Sequence, residues 1–158
     1  MDNPPKRKQI RLKQFDYGSP YAIFFLTMCS LNKKAIFVDN GLNNKIIDTL
    51  KEEKNRVGHS IYVYCLMPDH LHLLASPLGT RIPITQLMGG ISSKATRLLW
   101  NYGFSGKIFQ RSFYDHVVRK REDLKSIGQY ILDNPVRKGL AEKWEAYPYC
   151  GLLDPFPV

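Results

Sequence analysis

The sequence lacks long apolar runs and is poor in cysteine. Its best apolar run, from Tyr21 to Cys29, is about half of the roughly 18 residues that a membrane span needs, so no membrane association is expected. The three cysteines include no CxxC pair, which argues against a disulfide scaffold and a zinc ribbon. The basic N-terminal residues are not followed by the apolar segment of a secretion signal. We therefore expect a cytoplasmic protein.

Acidic residues are outnumbered by basic ones. The 158 residues include 23 Lys and Arg against 14 Asp and Glu, which gives a net charge of +9. Such an excess indicates a polyanionic partner such as nucleic acid, although a basic protein can also use its charge only for solubility. Apolar residues make up 44% of the chain and charged residues 23%, which is typical of a globular protein and excludes disorder throughout.

The first 20 residues differ from the rest of the chain. They contain several Lys and Arg without a periodic apolar face, and the turn-forming segment 18–20 (GSP) closes them. We predict a basic N-terminal arm over residues 1–20 and a single domain over residues 21–158.

Hydrophobic periodicity predicts the elements of that domain. Short runs rich in β-branched and aromatic residues indicate strands, and apolar residues at helical spacing indicate helices. The predicted strands cover 22–30, 60–67, 70–76 and 113–118, and the predicted helices cover 42–57, 84–102 and 121–133. The tail after Trp144 is expected to be irregular. This order predicts an α+β fold with a ferredoxin-like antiparallel sheet and helices packed mainly on one face.

His70 and His72 are the strongest candidates for chemistry. Residues i and i+2 of a strand point to the same face, so the two imidazoles project together while Leu71 and Leu73 point into the core. Two adjacent imidazoles suit two ligands on one metal ion, although the pair could also arise by chance.

Tyr130 and Asn134 are four residues apart at the end of the last predicted helix. They therefore share one helix face, and an exposed Tyr beside an Asn could be a nucleophile beside a metal ligand. Taken alone, the spacing favours a core tyrosine and an Asn that caps the end of the helix.

A basic and aromatic cluster surrounds the fourth predicted strand. Cations interleaved with rings are typical of single-stranded nucleic-acid binding, and a solvated strand edge would have a similar composition. The cluster comprises Lys107, Phe109, Gln110, Arg111, Phe113, Tyr114, His116, Arg119, Lys120 and Arg121.

Three motifs, in order, resemble those of a known family. They are MPDHLHLL at 67–74, FQRSFYDH at 109–116 and YILDNPVRKG at 130–139. Together they resemble the REP-associated and IS200-like single-tyrosine transposases of the HUH endonuclease superfamily, over about residues 17–150. One departure is Phe109, where the family usually has Trp.

The resemblance implies the HUH endonuclease fold and a set of residue roles. His70 and His72 would be ligands of Mg²⁺ or Mn²⁺, Asn134 the third ligand, and Tyr130 the nucleophile that forms a 5′-phosphotyrosine. The implied function is metal-dependent cleavage and joining of single-stranded DNA in DNA transposition. The DNA would carry a hairpin, either a REP-like hairpin or that of an element end. We expect the DNA to be contacted by Arg111, Arg119, Lys120, Arg121, Arg137 and Lys138.

Two alternatives compete with this interpretation. One is a non-catalytic module that binds hairpin DNA or RNA on the same fold, and the other is a metal-dependent hydrolase of a small phosphate ester. A binding module does not need the two histidines, the tyrosine and the asparagine, while a small-ester hydrolase leaves the basic arm unexplained. The sequence allows either a monomer or a homodimer.

Overall fold

In the computed structural model, the described parts of the chain are residues 21–119 and 121–157, without the side chains of residues 121 and 122. The predicted basic arm, residues 1–20, lies outside them. The described strands form one five-stranded antiparallel sheet in the order β4-β1-β3-β2-β5. They are β1 (Ile23–Cys29), β2 (Ser60–Met67), β3 (His70–Ser76), β4 (Tyr114–Val118) and β5 (Cys150–Leu152).

Two long helices cover one face of the sheet. They are α1 (Asn40–Val57) and α2 (Ile84–Asn101). The Asp39 side chain accepts a hydrogen bond from the Leu42 amide and caps α1, and Gly58 ends the helix in the left-handed region at φ 72°. Apolar side chains from both helices pack on alternate residues of β1 and β3 to form the larger core.

The opposite face carries a shorter helical segment. It consists of α3 (Arg121–Leu132) and the four-residue α4 (Asn134–Arg137). Leu124, Ile131 and Leu132 pack on β2 and β3 in a second, smaller core. In the described residues no helix is both long and apolar enough to span a membrane.

The predicted α+β class and antiparallel sheet are confirmed, and most predicted elements lie within two residues of the observed ones. The prediction of an irregular tail is wrong, because residues 150–152 form β5 on the free edge of β2. Three residues that include a glycine give no local strand signal. The strand forms because it pairs with β2, which is distant in sequence. Gly151 allows its backbone to lie close to the Tyr64 side chain, since a Cβ on residue 151 would be only 3.2 Å from the Tyr64 hydroxyl oxygen.

The register of β3 divides its side chains between the two faces. Leu71 and Leu73 are fully buried on the α1 and α2 face, as predicted. His70 and His72 point to the α3 face, with β1 on one side of them and β2 on the other. The central position of β3 therefore lets both neighbouring strands contribute side chains around the histidines.

Candidate functional site

The two imidazoles lie next to each other at one end of the α3 face. The ring centroids of His70 and His72 are 4.5 Å apart, with their planes at 70°. Both side chains are partly buried. The geometry expected from the alternation of β3 is therefore present.

Each histidine is held by a hydrogen bond at Nδ1. His70 Nδ1 lies 2.6 Å from Asp69 Oδ1 and donates to that carboxylate. His72 Nδ1 lies 2.8 Å from Thr27 Oγ1, on the neighbouring strand β1. When Nδ1 is the donor in both rings, each Nε2 keeps a lone pair, which is the tautomer that a metal ligand needs.

Asn134 completes this group. Its side chain is buried, with 4% of its surface exposed, and Nδ2 lies 3.0 Å from His70 Nε2. Asn134 is the first residue of α4, where Pro135 has no backbone N–H to donate. The alternative of an Asn that only caps the end of α3 is therefore wrong, because α3 ends at Leu132 and the amide faces the histidine.

His72 is neutral at ordinary pH. Burial, then the nearby His70, then the Arg137 guanidinium lower the pKa of His72 to about 3. A neutral imidazole can donate its lone pair to a cation, whereas a protonated one cannot.

Tyr130 is exposed rather than part of the core. With 52% of its surface accessible, its ring is stacked by Arg137, whose Cζ lies 3.9 Å from the ring centroid. Phe25 lies between the tyrosine and the histidines, with its centroid 6.1 Å from the Tyr130 ring and 5.2 Å from the His72 ring. The core alternative for Tyr130 is wrong because its ring is exposed, and the Phe25 ring separates it from the histidine pair of the same chain.

A cavity of about 510 Å³ opens beside the histidines. Two cations, Lys33 and Lys138, are part of its lining. The remaining lining side chains are mixed polar and apolar groups: Thr27, Cys29, Ala35, Met67, Pro68, Asp69, His70, His72 and Leu140. The cavity is large enough for one unit of a polymeric substrate, since ligand pockets commonly measure about 300–1,000 Å³.

The predicted DNA-contacting residues do not all lie together. Arg137 and Lys138 flank the site, and Arg111 is exposed in a separate groove beside Trp100. Arg119 follows β4 at the end that pairs with Ile23, away from Thr27 and the histidines. Lys120 lies outside the described residues, and the side chain of Arg121 is not described.

Two rings of the predicted aromatic cluster cannot stack on bases. Phe109 and Phe113 are only 5% and 7% exposed, and Phe109 stacks on Phe37 in the larger core. The interpretation of these rings as a stacking surface is wrong. Both rings pack in the larger core and hold the segment before β4 against it.

Thr27, Asp69 and Phe25 were not identified from the sequence. Asp69 precedes His70 directly, so its position was a usable signal. Thr27 and Phe25 reach the site only through the pairing of β1 with β3, in which Thr27 lies opposite His72. No local pattern predicts that register.

The residues present fit a divalent cation. Two imidazoles and one amide converge, and the Nδ1 atom of each imidazole is hydrogen-bonded to another side chain. Rotation of the Asn134 amide by 180° turns its oxygen toward the same point. The described residues contain no group of three or more His, Cys, Asp or Glu that could hold a metal. The Asn134 amide, whose Nδ2 lies 3.0 Å from His70 Nε2, is the third candidate ligand.

Comparisons with known proteins place this geometry in context. The family model described as "Transposase IS200 like" matches residues 22–134. A Haemophilus influenzae protein named as a REP-associated tyrosine transposase is 25% identical over 138 residues, covering 80% of this chain and 77% of that protein.

Two solved structures share the fold. One, a REP-associated tyrosine transposase bound to a REP hairpin, has a TM-score of 0.72 and 18% identity, covering 89% of this chain and 82% of that chain. The other, described as a transposase from Deinococcus radiodurans, has a TM-score of 0.52 and 18% identity, covering 76% and 95% of the two chains.

Proposed function

Because the chain belongs to the IS200-like transposase family, we propose that it is a metal-dependent endonuclease and strand transferase of hairpin-flanked single-stranded DNA. The observation that carries the proposal is the convergence of His70, His72 and Asn134, with an exposed Tyr130 four residues before Asn134 in the chain. A binding module needs none of these four side chains in this arrangement. The proposal includes the single-tyrosine mechanism of the HUH endonucleases.

In this proposal His70, His72 and Asn134 hold Mg²⁺ or Mn²⁺. The ion would supply positive charge that polarises the scissile phosphate. Neither imidazole adds negative charge when neutral, and His72 is kept neutral by its burial and its cationic surroundings. Asp69 and Thr27 orient the rings through Nδ1 and are positioning residues.

Tyr130 is the proposed nucleophile. Its phenolic oxygen forms a bond to phosphorus while the bond from phosphorus to the 3′ oxygen breaks. The phenol loses its proton, the strand leaves with a free 3′-OH, and the other end remains attached as a 5′-phosphotyrosine. The reverse reaction with another 3′-OH joins the strands, because the phosphodiester energy is kept in the covalent link.

Arg137 supports the chemistry of this tyrosine. Its guanidinium stacks on the Tyr130 ring at 3.9 Å and carries a charge at every relevant pH. A fixed cation next to the phenol favours the negative charge that develops during attack. Arg111, Arg119, Lys120, Arg121 and Lys138 are the further proposed contacts to DNA phosphates.

The decisive experiment is a search for the covalent adduct. The protein is incubated with an end-labelled hairpin that carries single-stranded flanks, in Mn²⁺, and denatured for gel electrophoresis. We expect a shifted protein–DNA band with the wild type and none with Tyr130→Phe, which keeps the ring and loses only the oxygen. Tyr21→Phe is the matched control, because Tyr21 is also exposed and lies outside the site.

The outcomes separate the proposed enzyme from the alternative. Tight hairpin binding without any adduct, in Mn²⁺ or in Mg²⁺, would contradict the proposal and favour a non-catalytic binding module. An adduct that persists in Tyr130→Phe would show that another residue is the nucleophile, with Tyr114 as the next candidate.

A further inference from the structure

The turn after β1 has an unusual backbone. Asn32 and Lys33 are consecutive residues with positive φ, at 57° and 54°. Residues other than glycine rarely adopt this region, and the long lysine side chain lacks the short polar group through which Asn or Asp favours it. The described residues contain only one other non-glycine with positive φ, Leu78.

Backbone hydrogen bonds hold this turn in place. The Leu31 amide donates to the Ile108 carbonyl at 2.8 Å, and the amides of Ile36 and Phe37 both donate to the Pro68 carbonyl. The Ser30 amide donates to the Asp69 carbonyl at 2.9 Å. The turn is therefore fixed to the segment directly before His70. Strain that surrounding contacts hold in place occurs mainly at functional sites.

The fixed turn places Lys33 in the lining of the 510 Å³ cavity beside the histidines. Lys138, which follows α4, lines the same cavity, and Ala35, Pro68 and Leu140 give it an apolar part. Among the described residues that line it, Asp69 is the one carboxylate, and it is hydrogen-bonded to His70. Two cations next to an apolar wall match a nucleotide, with its charged phosphate and flat base.

We propose that Lys33 and Lys138 form a phosphate-binding subsite for one unpaired nucleotide of the DNA strand, next to the phosphate that is cleaved. The base of that nucleotide lies against the apolar wall of Ala35 and Leu140. This inference rests on the proposed function, because it assigns part of the flanking strand to the cavity beside the proposed metal ligands. Lys33 is outside the basic cluster and the family motifs, and only the fold brings it to the site.

Lys34 offers a matched control for Lys33. It is the next residue and has the same charge, but its Nζ lies over the Phe104 ring at 5.4 Å from the centroid, and it is not part of the cavity lining. A general loss of positive charge affects both variants equally. Loss of a specific phosphate contact affects only Lys33→Ala.

The test is a binding measurement in EDTA, so that it does not depend on cleavage. Two labelled hairpins are compared, one blunt and one with a six-nucleotide thymidine flank. For Lys33→Ala we expect roughly tenfold weaker binding of the flanked hairpin and unchanged binding of the blunt one. The slope of log affinity against log salt should fall by about 1 for the flanked hairpin only. Lys34→Ala should keep the wild-type difference between the two hairpins.

Lys33→Gly separates the side chain from the fold. Glycine adopts the left-handed region without strain, so this variant should melt at a higher temperature than the wild type and still bind the flanked hairpin as weakly as Lys33→Ala. Wild-type affinity and salt slope in Lys33→Gly would overturn the subsite. A wild type that does not prefer the flanked hairpin over the blunt one would also overturn it.

The two proposals fail in different ways. A missing covalent adduct with an intact Lys33 effect in EDTA would overturn the nuclease mechanism and leave the subsite. A normal adduct with no Lys33 effect would overturn the subsite alone.

Discussion

The two faces of the sheet differ in what their side chains contact: one face packs in the larger core, and the other carries the candidate site. On the α1 and α2 face, β3 contributes Leu71 and Leu73, which are fully buried in the larger core. On the α3 face the same strand contributes His70 and His72, which are partly buried beside an open cavity. Because successive side chains of a strand point to opposite faces, residues that stabilise the fold alternate with residues of the candidate site along β3. Neighbouring substitutions should therefore have effects of different kinds.

The largest effect should come from removing the histidines. We expect His70→Ala and His72→Ala each to reduce adduct formation and Mn²⁺ affinity by more than about 100-fold, because even residues that only orient metal ligands contribute 10–100-fold. Hairpin affinity in EDTA should change little, since phosphate contacts supply most of it. Adduct yield on gels and Mn²⁺ titration by calorimetry measure the two losses. Wild-type Mn²⁺ affinity in either variant would contradict the proposed ligand set.

Leu73→Ala should have the opposite character. Its side chain is fully buried in the larger core, so its truncation should lower the free energy of unfolding by about 2–5 kcal/mol. Urea denaturation followed by circular dichroism measures this change, with His72→Gln as the matched variant on the other face. At a temperature where Leu73→Ala is folded, its adduct yield should be that of the wild type. A stable Leu73→Ala that cannot form the adduct would break the separation of the two faces.

Much of this arrangement could be predicted from the sequence because its causes are local. The two-residue period of His70 and His72 and the four-residue spacing of Tyr130 and Asn134 are read directly from neighbouring positions. The contact of Thr27 with His72 depends on the register of β1 and β3. The position of Lys33 in the cavity lining depends on the strained turn after β1. The burial of Phe109 against Phe37 likewise depends on tertiary packing, which composition does not reveal.

Acid should weaken the fold through the site face. The pKa of His72 is lowered to about 3 in the folded protein, by burial first and then by His70 and Arg137, against 6.5 for an ordinary histidine. The unfolded chain therefore takes up the proton first, so this contribution to stability is complete above about pH 6.5 and is lost as the pH falls toward 3. Urea midpoints of the metal-free protein across this range should fall less steeply for His72→Gln.

The same comparison has a built-in control for pH. Burial also lowers the pKa of His59, so protonation of His59 likewise lowers the stability of the fold in acid. His59 is present both in the wild type and in His72→Gln. Only the difference between the wild type and His72→Gln therefore reports on the site. Parallel curves would show that His72 titrates normally in the folded chain.

The smallest effects should come from two adjacent glycines of α2, on the face away from the site. A Cβ on Gly90 would collide with Glu53 Oε1, whose carboxylate pairs with Arg56 and Lys94. A Cβ on Gly89 would meet nothing within 4 Å. Gly90→Ala should therefore displace the buried carboxylate and cost about 1–3 kcal/mol. Gly89→Ala should stabilise the helix by about 0.5–1 kcal/mol, because alanine loses less backbone entropy than glycine. Thermal melts give both shifts. Adduct yield at a temperature where both variants are folded should equal that of the wild type. If the two variants were equally stable, that result would contradict the close approach of α1 and α2 at Gly90.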